Sequence, residues 1–108
     1  MLTREQARAL VLTELRRREQ QQGESHCRLI LLDEHTIERP WGWVFFWNSE
    51  SPANPMFGNA PYLVNRVSGE FGPSGTASPI EVYMSRYERR LLWQKVRGWF
   101  RRPRREAG

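Results

Sequence analysis

The sequence predicts an α+β fold: an N-terminal helix, an antiparallel sheet of about four strands, and a C-terminal helix with a basic amphipathic extension. Three observations predict it. An apolar stripe at helical spacing opens the chain behind a capping sequence. A run of aromatic and β-branched residues, Trp41 to Trp47, lies in the middle. A serine–proline start, Ser78-Pro79-Ile80-Glu81, opens a second helix. A chain of 108 residues holds one modest core, so a single folded body is expected over residues 1–88, followed by the extension over 89–108.

The first helix begins at Thr3, where Gln6 completes a capping box that satisfies two otherwise unpaired amides. Ala7, Leu10, Val11 and Leu15 then recur on one face, with Arg4, Arg8, Glu14 and Arg18 away from it. Arg16 to Gln22 carries the helix into solvent, and Gly23 ends it. Arg28 to Asp33 is a short strand, and Glu34 to Pro40 is a turn or a strand continuation.

Trp41 to Trp47 is the strongest strand signal, because aromatic and β-branched side chains suit a pleated, packed surface. The run lacks polar alternation, so a central strand covered on both faces is expected. Gly42 marks a close backbone approach or a bulge. Ser49 to Gly58 is a loop with two prolines. Tyr62 to Asn65 and Glu70-Phe71 form a hairpin around Ser68-Gly69, and Gly72 to Ala77 is a second loop. In the second helix, Ser78 is the cap and Glu81 closes the box. Ile80, Tyr83, Met84 and Tyr87 form its apolar stripe, and Pro103 stops it.

The net charge of +5 is unevenly placed. Residues 1–88 hold nine Arg and eleven Asp or Glu, a net of −2. Residues 89–108 hold seven Arg, one Lys and one Glu, a net of +7. The body is slightly acidic and the extension alone is basic. Cys27 is the single cysteine, which excludes an internal disulfide and a cysteine-based zinc site. No signal-peptide pattern and no membrane-length apolar run is present, so a cytoplasmic location is expected.

The pattern of polar residues predicts no catalytic site and no cofactor. His26 and His35 stand nine apart without metal-ligand spacing. The glycines between Gly69 and Gly75 lack the lysine and helix start of a phosphate loop. No nucleophile stands beside an organised base. Glu38, Glu50, Glu70 and Glu81 read as solvated acids.

The extension stands out. Leu92, Val96, Trp99 and Phe100 fall on one helical face, with Trp93 beside it. Arg89, Arg90, Lys95, Arg97, Arg101, Arg102, Arg104 and Arg105 interleave with them. Such a helix packs on its own sheet, docks on a partner, or lies on an anionic membrane. Nucleic acid is disfavoured, because the chain lacks the aromatic signatures of RNA-recognition domains.

Several stretches in order carry a resemblance. Glu38 to Ser49 contains Gly42-Trp43-Val44-Phe45-Phe46, and Gly58 to Asn65 follows. Then come Gly69-Glu70, Gly75 to Glu81 and Tyr87-Glu88. In order and spacing, residues 3–88 resemble the immunity protein 35 family, or YrhB-like domains, of bacterial polymorphic toxin systems. The resemblance implies a non-enzymatic antitoxin that binds a cognate toxin domain by direct protein–protein contact, with no small-molecule substrate. The short proline-rich loop and the basic extension depart from the family pattern. An inhibitor needs complementarity rather than chemistry, and interface centres favour Trp, Tyr and Arg. Trp47, Glu50, Asn54, Asn59, Trp93 and Arg97 are therefore the expected partner-binding residues. The competing expectation is a peripheral membrane or nucleic-acid adaptor acting through the basic helix.

Overall fold

The computed structural model describes residues 1–21, 28–50, 59–75 and 78–107, with side chains of the last stretch described to Arg97. The chain divides into two compact units, Met1–Thr76 and Ala77–Gly108. The first unit contains helix α1 (Arg4–Gln21) and strands β1 (Leu29–Leu31), β2 (Ile37–Arg39), β3 (Gly42–Phe45), β4 (Trp47–Ser49), β5 (Tyr62–Asn65) and β6 (Phe71–Pro73). A single 3-10 turn, Asp33–His35, lies between β1 and β2. The second unit is helix α2 (Ile80–Ala107).

The α+β class, both terminal helices and a four-stranded antiparallel sheet agree with the sequence. Among the described residues six strands form two antiparallel sheets, the expected sheet β2-β3-β5-β6 and an additional ribbon β1-β4. The expected continuous strand Trp41–Trp47 is broken at Phe46. Before it, β3 pairs with β2 and β5, placing Trp43 opposite Val64 and Phe45 opposite Tyr62. After it, β4 pairs with β1, placing Trp47 opposite Leu31. The Phe46 carbonyl accepts the Leu32 amide at 2.8 Å, closing the corner where the chain changes sheets. An all-apolar run gives no sign of a corner, because a sheet switch needs no polar residue.

The core explains the missing alternation. Trp43 and Phe45 point into a cluster with Ala7, Val11 and Leu15 of α1, Leu29 and Leu31 of β1, and Tyr62 and Val64 of β5. Val44 and its cross-strand partner Leu63 alternate to the other face and are buried as well. Trp47 joins the first cluster from β4.

Backbone packing fixes the glycine of this run. A Cβ on Gly42 would lie 1.8 Å from the Val64 carbonyl oxygen, and Gly42 has φ +154°. Only glycine allows β3 and β5 to approach there. The hairpin between β5 and β6 is organised by Asn65. Its side-chain oxygen accepts the amides of Val67 at 2.9 Å and Ser68 at 3.0 Å. Gly69 then takes φ +75°.

The helix ends test the capping expectations. At α1 the Thr3 amide donates to Gln6 Oε1 at 2.9 Å, and the Gln6 amide donates to Thr3 Oγ1 at 3.2 Å. At α2 the expected reciprocal box is replaced. The Ser78 amide donates to the Tyr83 hydroxyl at 3.1 Å, and the helix starts at Ile80. Helix α2 also runs past Pro103 to Ala107 and is continuous across position 88. A proline removes one amide donor, and here it does not end the backbone geometry. Two further expected loop positions, Gly72 and Pro73, belong to β6. The expected helix stop at Gly23 lies outside the described residues, as do His26 and Cys27.

Candidate interaction surfaces

Two places on the molecule combine exposed polar or aromatic residues with a scaffold that holds them. The first is the end of the β1–β4 ribbon. Leu29 pairs with Ser49, and the Glu50 amide donates to the Arg28 carbonyl at 2.8 Å. That bond places Arg28 and Glu50 side by side at this end, and both are exposed.

A buried carboxylate holds the ribbon against α1. Glu19 is 7% exposed. Its Oε2 accepts the Leu29 amide at 2.6 Å and also pairs with Arg16. Arg16 in turn donates to the Leu29 carbonyl at 2.8 Å. Arg28 stands 3.8 Å from Glu19 Oε1. Burial pushes the Glu19 carboxyl up, but the Leu29 amide and the charges of Arg16 and Arg28 outweigh it and hold it below its ordinary range. The group therefore stays ionised inside the fold.

Trp47 and Asn59 meet beside this end. The Trp47 indole N–H donates to the Ala60 carbonyl at 2.8 Å, and the Asn59 side-chain amide donates to the Trp47 carbonyl. The Arg18 guanidinium lies 4.9 Å from the Trp47 ring centroid and donates to the Tyr62 hydroxyl at 2.9 Å. Such a stacked cation on a partly desolvated indole contributes on the order of 1 kcal/mol. Strand β4 and the start of β5 are thus tied to α1 through Arg18.

The opposite end of α1 is tied differently. Arg8 makes a two-point contact with the Asp33 carboxylate, Nε to Oδ1 at 2.8 Å and Nη2 to Oδ2 at 2.9 Å. The Arg8 hydrogen bonds lower the Asp33 carboxyl below its ordinary range. The acids read as solvated include Glu38, which pairs with Arg66 at 3.1 Å. Among the described residues, no group of three or more His, Cys, Asp or Glu could hold a metal ion.

The second place is α2. Leu92 and Trp93 are each 61% exposed. Arg89, Lys95 and Arg97 are exposed on the same helix. Among the described residues, no helix is long and apolar enough to cross a membrane.

The six expected binding residues therefore separate. Glu50 is exposed at the ribbon end, and Asn59 is half-buried beside it. Trp47 is 1% exposed, and its ring is a core element with no surface to offer. Trp93 and Arg97 are exposed on α2. Asn54 lies outside the described residues. Sequence reading missed Glu19 and Arg18, both assigned to a solvent-facing helix end. The spacing held the signal: Ala7, Val11, Leu15 and Glu19 form one unbroken i, i+4 row.

The fold and these surfaces define a small α+β protein whose distinctive features are held surfaces. The comparisons add one relative and no family. The uncharacterized protein YrhB of Escherichia coli (strain K12) is 38% identical over 53 residues, covering 44% of this chain and 56% of that protein. The chain thus matches little more than half the length of that relative. No family model matches the chain, and no solved structure matches it.

Proposed function

We propose that this protein is an immunity protein, an antitoxin that binds a cognate bacterial toxin domain by direct contact and covers its active site. The observation that carries the reading is the motif order from Glu38 to Glu88, which resembles the immunity protein 35 family and is accompanied by 38% identity to YrhB over part of the chain. The proposed setting is interbacterial competition, with the protein acting in the cytoplasm of the producing cell.

The proposed contacts form two groups. Glu50 and Asn59 lie at and beside the ribbon end, which the Glu19 network and the Arg18–Trp47 stack tie to α1, and Asn54 is proposed with them from its place in the sequence. Preorganised side chains lose less entropy on binding, which favours tight inhibition. The acidic body opposes a basic toxin cleft. Trp93 and Arg97 form the second group. Trp47 supports the first group from the core rather than touching the partner.

Co-expression with a candidate cognate toxin domain tests the proposal. Growth is rescued by the wild-type chain. A scan of E50A, N54A, N59A, W93A and R97A identifies the contacts, with a central contact expected to cost at least tenfold in affinity. Unchanged affinity in all five variants rejects the assignment of the contacts.

A further inference from the structure

The exposed face of α2 has a composition that protein inhibition does not require. At 3.6 residues per turn, Val82, Arg89, Leu92, Trp93 and Val96 share one side of the helix. Ile80, Met84, Tyr87 and Leu91 occupy the opposite side. The two sides also differ in burial. Met84 is 4% exposed, whereas Leu92 and Trp93 are each 61% exposed. The helix therefore carries two apolar sides, and the second is open to solvent.

Charge decides what this second side fits. From Arg89 to Arg105 the sequence contains no Asp or Glu and eight Arg or Lys. The exposed cations Arg86 and Arg97 flank Trp93, and Lys95 lies beyond Leu92. Arg86, Arg89 and Arg97 border Trp93, while the exposed Glu81 and Glu88 lie on the Leu92 edge; protruding Leu and Trp with several neighbouring Arg is the composition of a helix lying in the plane of a membrane surface. Indole rings settle at the headgroup level, and the long basic side chains reach out to lipid phosphates. A nucleic-acid surface would use the cations and leave Leu92 and Val96 without a partner. The favourable term for anionic lipid grows with each basic residue near the surface, and the body, at a net −2, keeps this attraction local to the helix.

We infer that the Val82–Leu92–Trp93–Val96 side of α2 is a docking surface for anionic phospholipid, which holds the protein at the inner face of a membrane. This goes beyond the antitoxin reading and does not depend on it, since no toxin enters the argument.

Vesicle flotation of the full chain tests it, using phosphatidylcholine alone and phosphatidylcholine with about 40% phosphatidylglycerol. The wild-type chain is expected to float with the anionic vesicles at least tenfold more than with the neutral ones. The double variant L92E/W93E should lose at least tenfold of that partition, with an unchanged circular dichroism spectrum because both residues are exposed. The milder W93F should retain binding and lose the blue shift of Trp fluorescence that Trp93 contributes. Equal partition into neutral and anionic vesicles overturns the inference. So does anionic binding that L92E/W93E leaves intact. Binding to a duplex oligonucleotide tighter than to the anionic vesicles also overturns it and assigns the helix to nucleic acid.

Discussion

The Glu19 carboxylate accepts the main-chain amide of Leu29 at 2.6 Å from inside the fold. That bond joins the last turn of α1 to the first residue of β1, and through β1 to β4, which ends at Ser49 next to Glu50. Removing one partner of a buried, hydrogen-bonded charge is strongly destabilising. Removing the carboxylate leaves the Leu29 amide without its acceptor and the Arg16 guanidinium with the Leu29 carbonyl but no counter-charge. E19A is expected to lower stability by about 3 kcal/mol, and E19Q by less, because the amide oxygen still accepts from Leu29. Urea unfolding measures both.

The same carboxylate sets an acid limit. Its pKa is lower in the folded protein than in the unfolded chain, so the unfolded state binds its proton first as pH falls. Its contribution is complete above the unfolded carboxylate pKa, and it is lost as pH falls through the folded value. Unfolding midpoints measured from pH 7 down to pH 3 should decline for the wild type, and decline less steeply for E19Q. Parallel curves for the two would mean that Glu19 does not govern the acid limit.

Gly42→Ala places a methyl group 1.8 Å from the Val64 carbonyl. The clash is with backbone, which a rotamer change cannot relieve. The variant is expected to lose about 4 kcal/mol or more and to accumulate unfolded. Native-like amide proton dispersion in the NMR spectrum of G42A would contradict the packing of β3 against β5.

Trp47 and Trp93 should separate stability from binding. W47A empties a site at the centre of the core and is expected to cost about 3–5 kcal/mol. W93A removes an exposed ring and should leave the unfolding midpoint within about 0.5 kcal/mol of wild type. Thermal melts of the two variants compare them directly.

Arg8 and Asp33 form a well-aligned pair, yet both side chains are substantially exposed. Solvent screening reduces such a pair to about 0.5 kcal/mol. R8Q should therefore cost little, and the cost should fall further in 1 M salt. A loss above about 2 kcal/mol would show that the pair is more desolvated than its exposure indicates.

Much of the fold was legible in the chain because it rests on local rules. The Thr3–Gln6 box, the 7-11-15 stripe and the hairpin around Gly69 are each set by residues a few positions apart. The corner at Phe46 was not legible. It depends on which strand reaches β3 and which reaches β4, and both pairings are long-range. The ribbon end was legible only in part. Glu50 is exposed, whereas the abundance of aromatics suggested Trp47 as a contact and the structure seals it in the core. Glu19 was hidden for another reason. A charged residue in a charged run reads as solvated until a backbone amide distant in sequence is found against it.

Proposed inhibition by direct contact is tested by mixing the purified chain with a purified candidate toxin domain and following the mixture by size-exclusion chromatography while the toxin's own activity is assayed. A single co-eluting complex with the activity abolished, and partial release of activity with E50A, is the expected result. Two separate peaks with toxin activity unchanged would contradict it.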